Sequence, residues 1–88
     1  MAEIEVAAAG GSAFTVRAGG RSFAVTAADP TVAELGAPDA ETLVRASFEF
    51  LLEREAPSSI LPRFDLTVIG HYFPEWRAEM RRRFREGG

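Results

Sequence analysis

His71 is the one imidazole in this 88-residue chain that could act as a general base or metal ligand, and there is no cysteine. Thiolate nucleophiles, disulfides and thiolate metal sites are therefore outside its chemistry. Ser12, Ser22, Ser47, Ser58 and Ser59 fall in turns, strands or helix starts, and none sits in the elbow motif that exposes a nucleophile. Triads are assembled in space, so a serine, His71 and an acid could still meet, but no spacing points to one. Glu49, Glu53 and Glu55 read as a solvated helix face and its end, not as a carboxylate pair split apart by burial. A lone histidine without carboxylates at ligand spacing makes a poor metal site. The residues lead us to expect no catalytic group, no metal and no cofactor. A small enzyme would need a pocket converging on His71 or on buried acids.

Two glycine pairs, Gly10-Gly11 and Gly19-Gly20, invite comparison with phosphate-binding loops. Neither precedes a helix and neither carries the Lys-Ser/Thr of a nucleotide loop. Both read as hairpin turns.

Arginine is the residue type that is concentrated. All ten basic residues are Arg, against thirteen acids, for a net charge of −3. Residues 1–76 hold five Arg against eleven acids, or −6, whereas residues 77–88 hold five Arg against Glu79 and Glu86, or +3. Such asymmetry can mark an interaction tail. Arg77, Arg81 and Arg85 recur at i, i+4 and i+8, with Arg82 and Arg83 beside them. A guanidinium stripe of this kind can contact phosphates or grip carboxylates on another protein. It also has a plain structural role, because cations favour a helix C-terminus and Glu79 with Arg83 forms an ordinary i, i+4 pair. A helix-turn-helix over residues 58–85, with 65–73 as the first helix and 74–85 as the reader, is the sharper nucleic-acid reading. Its reading helix, however, would begin with Pro74, Glu75 and Trp76, and base contacts come from that end. Tyr72 and Trp76 are the ring types that anchor interfaces, unless both are core. The candidate partner-binding set is thus Tyr72, Trp76, Arg77, Arg81, Arg82 and Arg85.

These side chains need elements to hold them. The length fits one domain, burying about 60–65% of its unfolded surface. Ile4, Val6 and Ala8, then Phe14, Val16 and Ala18, then Phe23, Val25 and Ala27 alternate with mostly polar or small residues. That period predicts three strands within residues 1–27, buried on one face. A two-residue turn at Gly19-Gly20 places Val16 opposite Phe23 and Phe14 opposite Val25. The same turn at Gly10-Gly11 would set Val6 against Thr15, on the wrong face, so that loop must be odd in length or bulged.

Residues 28–37 form a short helix or turn, with Asp29 placed to cap it, Pro30 at its first position and Gly36 to stop it. A central helix within residues 39–55 follows, with Asp39 as N-cap. Its apolar positions, among them Leu43, Val44, Phe48, Phe50, Leu51 and Leu52, cover well over half the wheel. A helix facing one sheet needs about a third, so this one should also touch later helices or another subunit. Residues 58–86 hold short helices. Ser58 or Ser59 is placed to cap one turn, Asp65 to cap residues 66–73, and Pro74 to open an Arg-rich last helix that buries Trp76, Met80 and Phe84. Gly87-Gly88 matches the ending of ubiquitin-like modifiers, which finish in a strand; after a helix the pair reads as a C-cap. The expected class is α+β: a three-stranded antiparallel meander packed by a long central helix and shorter C-terminal helices.

Over residues 40–76, the strings FEFLLERE and SILPRFDLTVIGHYFPEW resemble a type of small bacterial protein of unknown function. That type has a β-rich start, a Phe-Leu-Leu helix, a Ser-Ile-Leu turn, then Phe-Asp-Leu and Tyr-Phe-Pro-Glu. The resemblance implies a fold and carries no activity. Lysine avoidance with abundant Ala and Gly agrees with a GC-rich bacterial gene.

The acidic start MAEIEVAAAGG lacks the basic first region of a secretory signal, and no apolar run reaches the roughly 18 residues of a membrane span. We therefore expect a cytoplasmic, non-enzymatic module that binds another protein or its own copy. The alternative is nucleic-acid binding through the Arg-rich helix.

Overall fold

The computed structural model describes residues 3–87, and over these the chain is α+β. Strands β1 (Ile4–Gly10), β2 (Ala13–Ala18) and β3 (Arg21–Thr26) pair antiparallel in sequence order. Val16 lies opposite Phe23 and Phe14 opposite Val25, across the Gly19-Gly20 turn. In the first hairpin Val6 faces Val16, and the register slips by one between Ala8 and Gly10. That bulge is what the alternation demanded, because without it the apolar side chains of β1 would face water.

The sheet is not the expected three-stranded meander. A fourth strand, β4 (Arg63–Asp65), adds to β3 in parallel, giving the order β1-β2-β3-β4. A parallel neighbour needs a long crossover, and helices α1 (Asp29–Leu35) and α2 (Ala40–Arg54) supply it. A single turn of 3-10 helix at Pro57–Ser59 precedes β4; helices α3 (Thr67–Tyr72) and α4 (Trp76–Gly87) follow. The helical layer also differs from one long central helix served by shorter ones. At 12 residues α4 is close to the 15 of α2, and the two share the layer. Gly88 lies outside the described residues. No helix among the described residues is long and apolar enough to cross a membrane.

Several helix starts differ from the sequence expectation. Asp29 is the first residue of α1 and Ala28 its cap position, with no side-chain cap. Gly36 ends α1 at φ +75°, a conformation that favours glycine. Asp39 does cap α2, its Oδ1 accepting from the Thr42 N–H at 2.7 Å. Neither Ser58 nor Ser59 caps the 3-10 turn. Asp65 ends β4 rather than opening α3, yet from there Oδ2 accepts from the Thr67 N–H at 3.0 Å and Oδ1 from the Thr26 hydroxyl at 2.6 Å. One carboxylate thus ties the sheet edge to the helix start.

All the helices lie on one face of the sheet. Phe14, Val16, Phe23 and Val25 are buried there, while Thr15, Arg17, Ser22 and Ala24 on the other face are exposed. The centre of the core is Phe48, whose ring lies 5.2 Å from Phe23 and 6.0 Å from Phe64. The second apolar side of α2 meets α4 through fully buried Ser47, Trp76 and Met80. Gly70 lets α3 approach α4, since a Cβ there would stand 3.3 Å from the Trp76 ring.

Candidate functional site

Four of the five arginines of α4 pair with acids of the same chain. Arg77 and Arg81 both reach Glu34 of α1, at 3.2 and 3.1 Å. Arg83 reaches Glu49 at 3.1 Å and Glu53 at 3.6 Å, both on α2. Glu79 accepts from Arg82 at 2.6 Å and from Arg83 at 3.2 Å, and these bonds hold its carboxyl below the usual glutamate range. Arg85 is exposed and makes no ion pair among the described residues. The stripe of Arg77, Arg81 and Arg85 is therefore two-thirds consumed in fastening α4 to α1. Pairs of this exposure contribute little stability individually, but they neutralise the cations that a phosphate backbone would require.

The two candidate rings separate. Trp76 is fully buried, its Nε1 donating to Ser47 Oγ at 3.1 Å, and does not reach the surface. Tyr72 at the end of α3 is 65% exposed, its ring 5.6 Å from that of His71. His71 is exposed as well. Among the described residues no three His, Cys, Asp or Glu side chains gather as metal ligands would.

Beside Tyr72 lies a feature that sequence reading missed. A groove of about 240 Å³ opens between the end of α2, the 3-10 turn, β4 and α3. Leu51, Ile60, Phe64, Val68, Ile69 and Phe73 line it, with Leu61 and Tyr72 at its rim and Glu55 and Ser59 as its polar members. Leu61, at 47% exposure, and Tyr72 are the exposed large hydrophobics among the described residues. The groove lies where Leu51 of α2, Phe64 of β4 and Val68 and Ile69 of α3 come together. The available signal was Leu61 itself, an apolar residue held between Ile60 and Pro62 with no periodic partner.

A second, wider cleft of about 660 Å³ lies at the β1 edge. It is lined by Glu3, Ile4, Arg45, Glu49, Leu52, Glu53 and Arg83. Its arginines are engaged: Arg83 by acids, and Arg45 by the Ile4 carbonyl oxygen at 2.6 Å.

Compared with protein-family models, with curated proteins and with solved structures, the chain shows no match. No relative's activity bears on these surfaces.

Proposed function

We propose that this chain is a non-enzymatic protein-interaction module whose groove between α3 and the 3-10 turn receives an apolar segment of a partner protein. One observation carries the reading: the two exposed large hydrophobics, Leu61 and Tyr72, stand together at the rim of one apolar groove. A concave apolar surface with an aromatic at its edge is the form in which a few residues carry most of a binding energy. Glu55 and the Tyr72 hydroxyl supply the polar groups that orient an occupant. The cytoplasm is the location we propose.

The test is a pull-down from native lysate with the tag at the N-terminus, run with and without nuclease. Wild type and the double variant Leu61→Ser/Tyr72→Ser are compared, with melting curves for both. The expected result is a protein recovered in both nuclease arms and lost with the double variant at unchanged stability. Recovery that survives the double variant and disappears with Arg77→Ala/Arg81→Ala/Arg85→Ala would transfer the interface to α4. Recovery of nuclease-sensitive material alone would put nucleic-acid binding in its place.

A further inference from the structure

The free edge of β1 can be read residue by residue from the hydrogen-bond ladder. Ala27 N–H donates to the Ser12 oxygen and Ala24 N–H to the Pro62 oxygen. In an antiparallel ladder alternate residues face alternate neighbours. Residues 12, 14, 16 and 18 of the second segment therefore face β3, and 13, 15 and 17 face β1. Arg17 and Thr15 lie opposite Glu5 and Ala7, so Glu5 and Ala7 bond to β2. The main-chain groups of Ile4, Val6 and Ala8 point away from the sheet. Arg45 confirms this parity, because its Nη1 donates to the outward Ile4 oxygen at 2.6 Å.

Both ends of this edge are restricted. Arg45 occupies the Ile4 carbonyl, and the bulge between Ala8 and Gly10 turns Gly10 back toward β2, opposite Ala13. The Ile4 N–H stays open, but the residues with both main-chain groups open are Val6 and Ala8, each with an N–H and a C=O. Open edges of this kind are templates for another strand.

We infer that the occupant is a second copy of this chain, paired antiparallel β1 to β1 about a two-fold axis at Ala7. The register follows from which groups are available. With the axis at Ala7, Val6 of each copy meets Ala8 of the other, and the N–H and C=O groups of Val6 and Ala8 in both copies all stand in hydrogen-bonding positions. An axis at Val6 would set Ala8 against Ile4, whose carbonyl Arg45 already holds. An axis at Ala8 would set Val6 against Gly10, whose groups face β2. The charges agree with the Ala7 axis: Glu5 falls opposite Ala9 of the other copy and Glu3 opposite Gly11, so no acid meets an acid. Side-chain size agrees too, because the axial pair is Ala7 against Ala7, where strands approach most closely. The result is an isologous contact that joins two four-stranded sheets into one of eight. It is independent of the groove beside Tyr72.

Single-cysteine variants test it cleanly, since the chain has no cysteine of its own. In the inferred register the two Ala7 Cα atoms are about 4.5 Å apart, within disulfide reach, while the two Ala9 positions are beyond the limit of about 7 Å. Ala7→Cys should cross-link to a dimer under mild oxidation and Ala9→Cys should not. Sedimentation of wild type between about 10 µM and 1 mM, the range of a small interface, should show the mass rising from 9.6 kDa toward twice that. Ala8→Pro removes an outward N–H and no intrachain bond, as edge strands tolerate; it should be monomeric with the buried Trp76 fluorescence unchanged. A wild-type mass constant at 9.6 kDa over that range overturns the inference, and so does a dimer that persists in Ala8→Pro. If Ala8→Pro fails to fold, the cysteine pair decides: cross-linking at residue 9 but not 7 refutes the register.

Discussion

Trp76 Nε1 donates to Ser47 Oγ at 3.1 Å across 29 residues of sequence, and both side chains are fully buried. This bond joins the second face of α2 to the first turn of α4. Ser47 Oγ also lies 3.8 Å from Met80 Sδ, so the hydroxyl lies between both core residues of α4. Without an acceptor the indole N–H would be stranded in an apolar interior. Ser47→Ala is expected to cost about 1–3 kcal/mol for that reason. The penalty should shrink in a Trp76→Phe background, which has no N–H to satisfy. Urea unfolding of the four proteins of the cycle, followed by circular dichroism, measures it; equal penalties in both backgrounds would refute the role given to the bond.

Phe48 is the ring on which sheet and helices converge, between Phe23 and Phe64. Phe48→Ala should lose about 3–5 kcal/mol through the cavity it opens. A mutant melting within a degree or two of wild type would contradict the packing described.

The Gly19-Gly20 turn allows a matched comparison. Both residues have positive φ, +59° and +78°, but a Cβ at Gly19 would collide with the Pro57 ring, whereas one at Gly20 would meet open space. Alanine should cost about 1 kcal/mol or more at either position through backbone strain, and measurably more at Gly19. Thermal melts of the two variants decide. Equal losses would show that the 3-10 turn does not rest on the hairpin.

Glu34 holds Arg77 and Arg81 together. All three side chains are well exposed, so Glu34→Gln should change stability by no more than about 1 kcal/mol, with the difference fading as salt rises. A larger, salt-insensitive loss would mean that α4 depends on this clamp.

Acid should weaken the junction at Asp65. Burial raises this carboxyl's affinity for a proton, but hydrogen bonds from the Thr26 hydroxyl, the Thr67 hydroxyl and the Thr67 N–H outweigh it and hold the group below the usual Asp range. A folded-state value below the unfolded one contributes stability that is whole above about pH 4 and is lost as pH falls through the folded value. The stability gap between wild type and Asp65→Asn should therefore narrow below pH 4, measured by urea titrations at stepped pH. A gap that stays constant would dismiss the linkage.

Local patterning was legible wherever a repeat or a cap carried it. Period-two alternation specified β1, β2 and β3, the buried face of β2 and β3 and the need for a bulge in the first hairpin, while in β1 Ile4 and Val6 are only half-buried and Ala8 is exposed. Asp39 and Gly36 marked helix ends. The over-wide apolar surface of α2 announced a second neighbour. Strand β4 was not legible, because three residues are too few to show a period and a parallel partner lies some forty residues away in the chain. Asp65 looked like a helix cap for the same reason: its second partner, Thr26, is brought near by the sheet alone.

The candidate site divides along the same line. The run of residues by itself determined that cations gather on one helix and that large rings cluster before it, since composition and a 3.6-residue period are properties of the chain. Only the tertiary structure decided which of them meet a partner within the molecule. It set Glu34, Glu49 and Glu53 against the arginines, drew Trp76 into the core onto Ser47, and left Tyr72 and Leu61 outside beside an apolar groove. Those outcomes depend on contacts between segments distant in sequence, and local pattern carries no term for them.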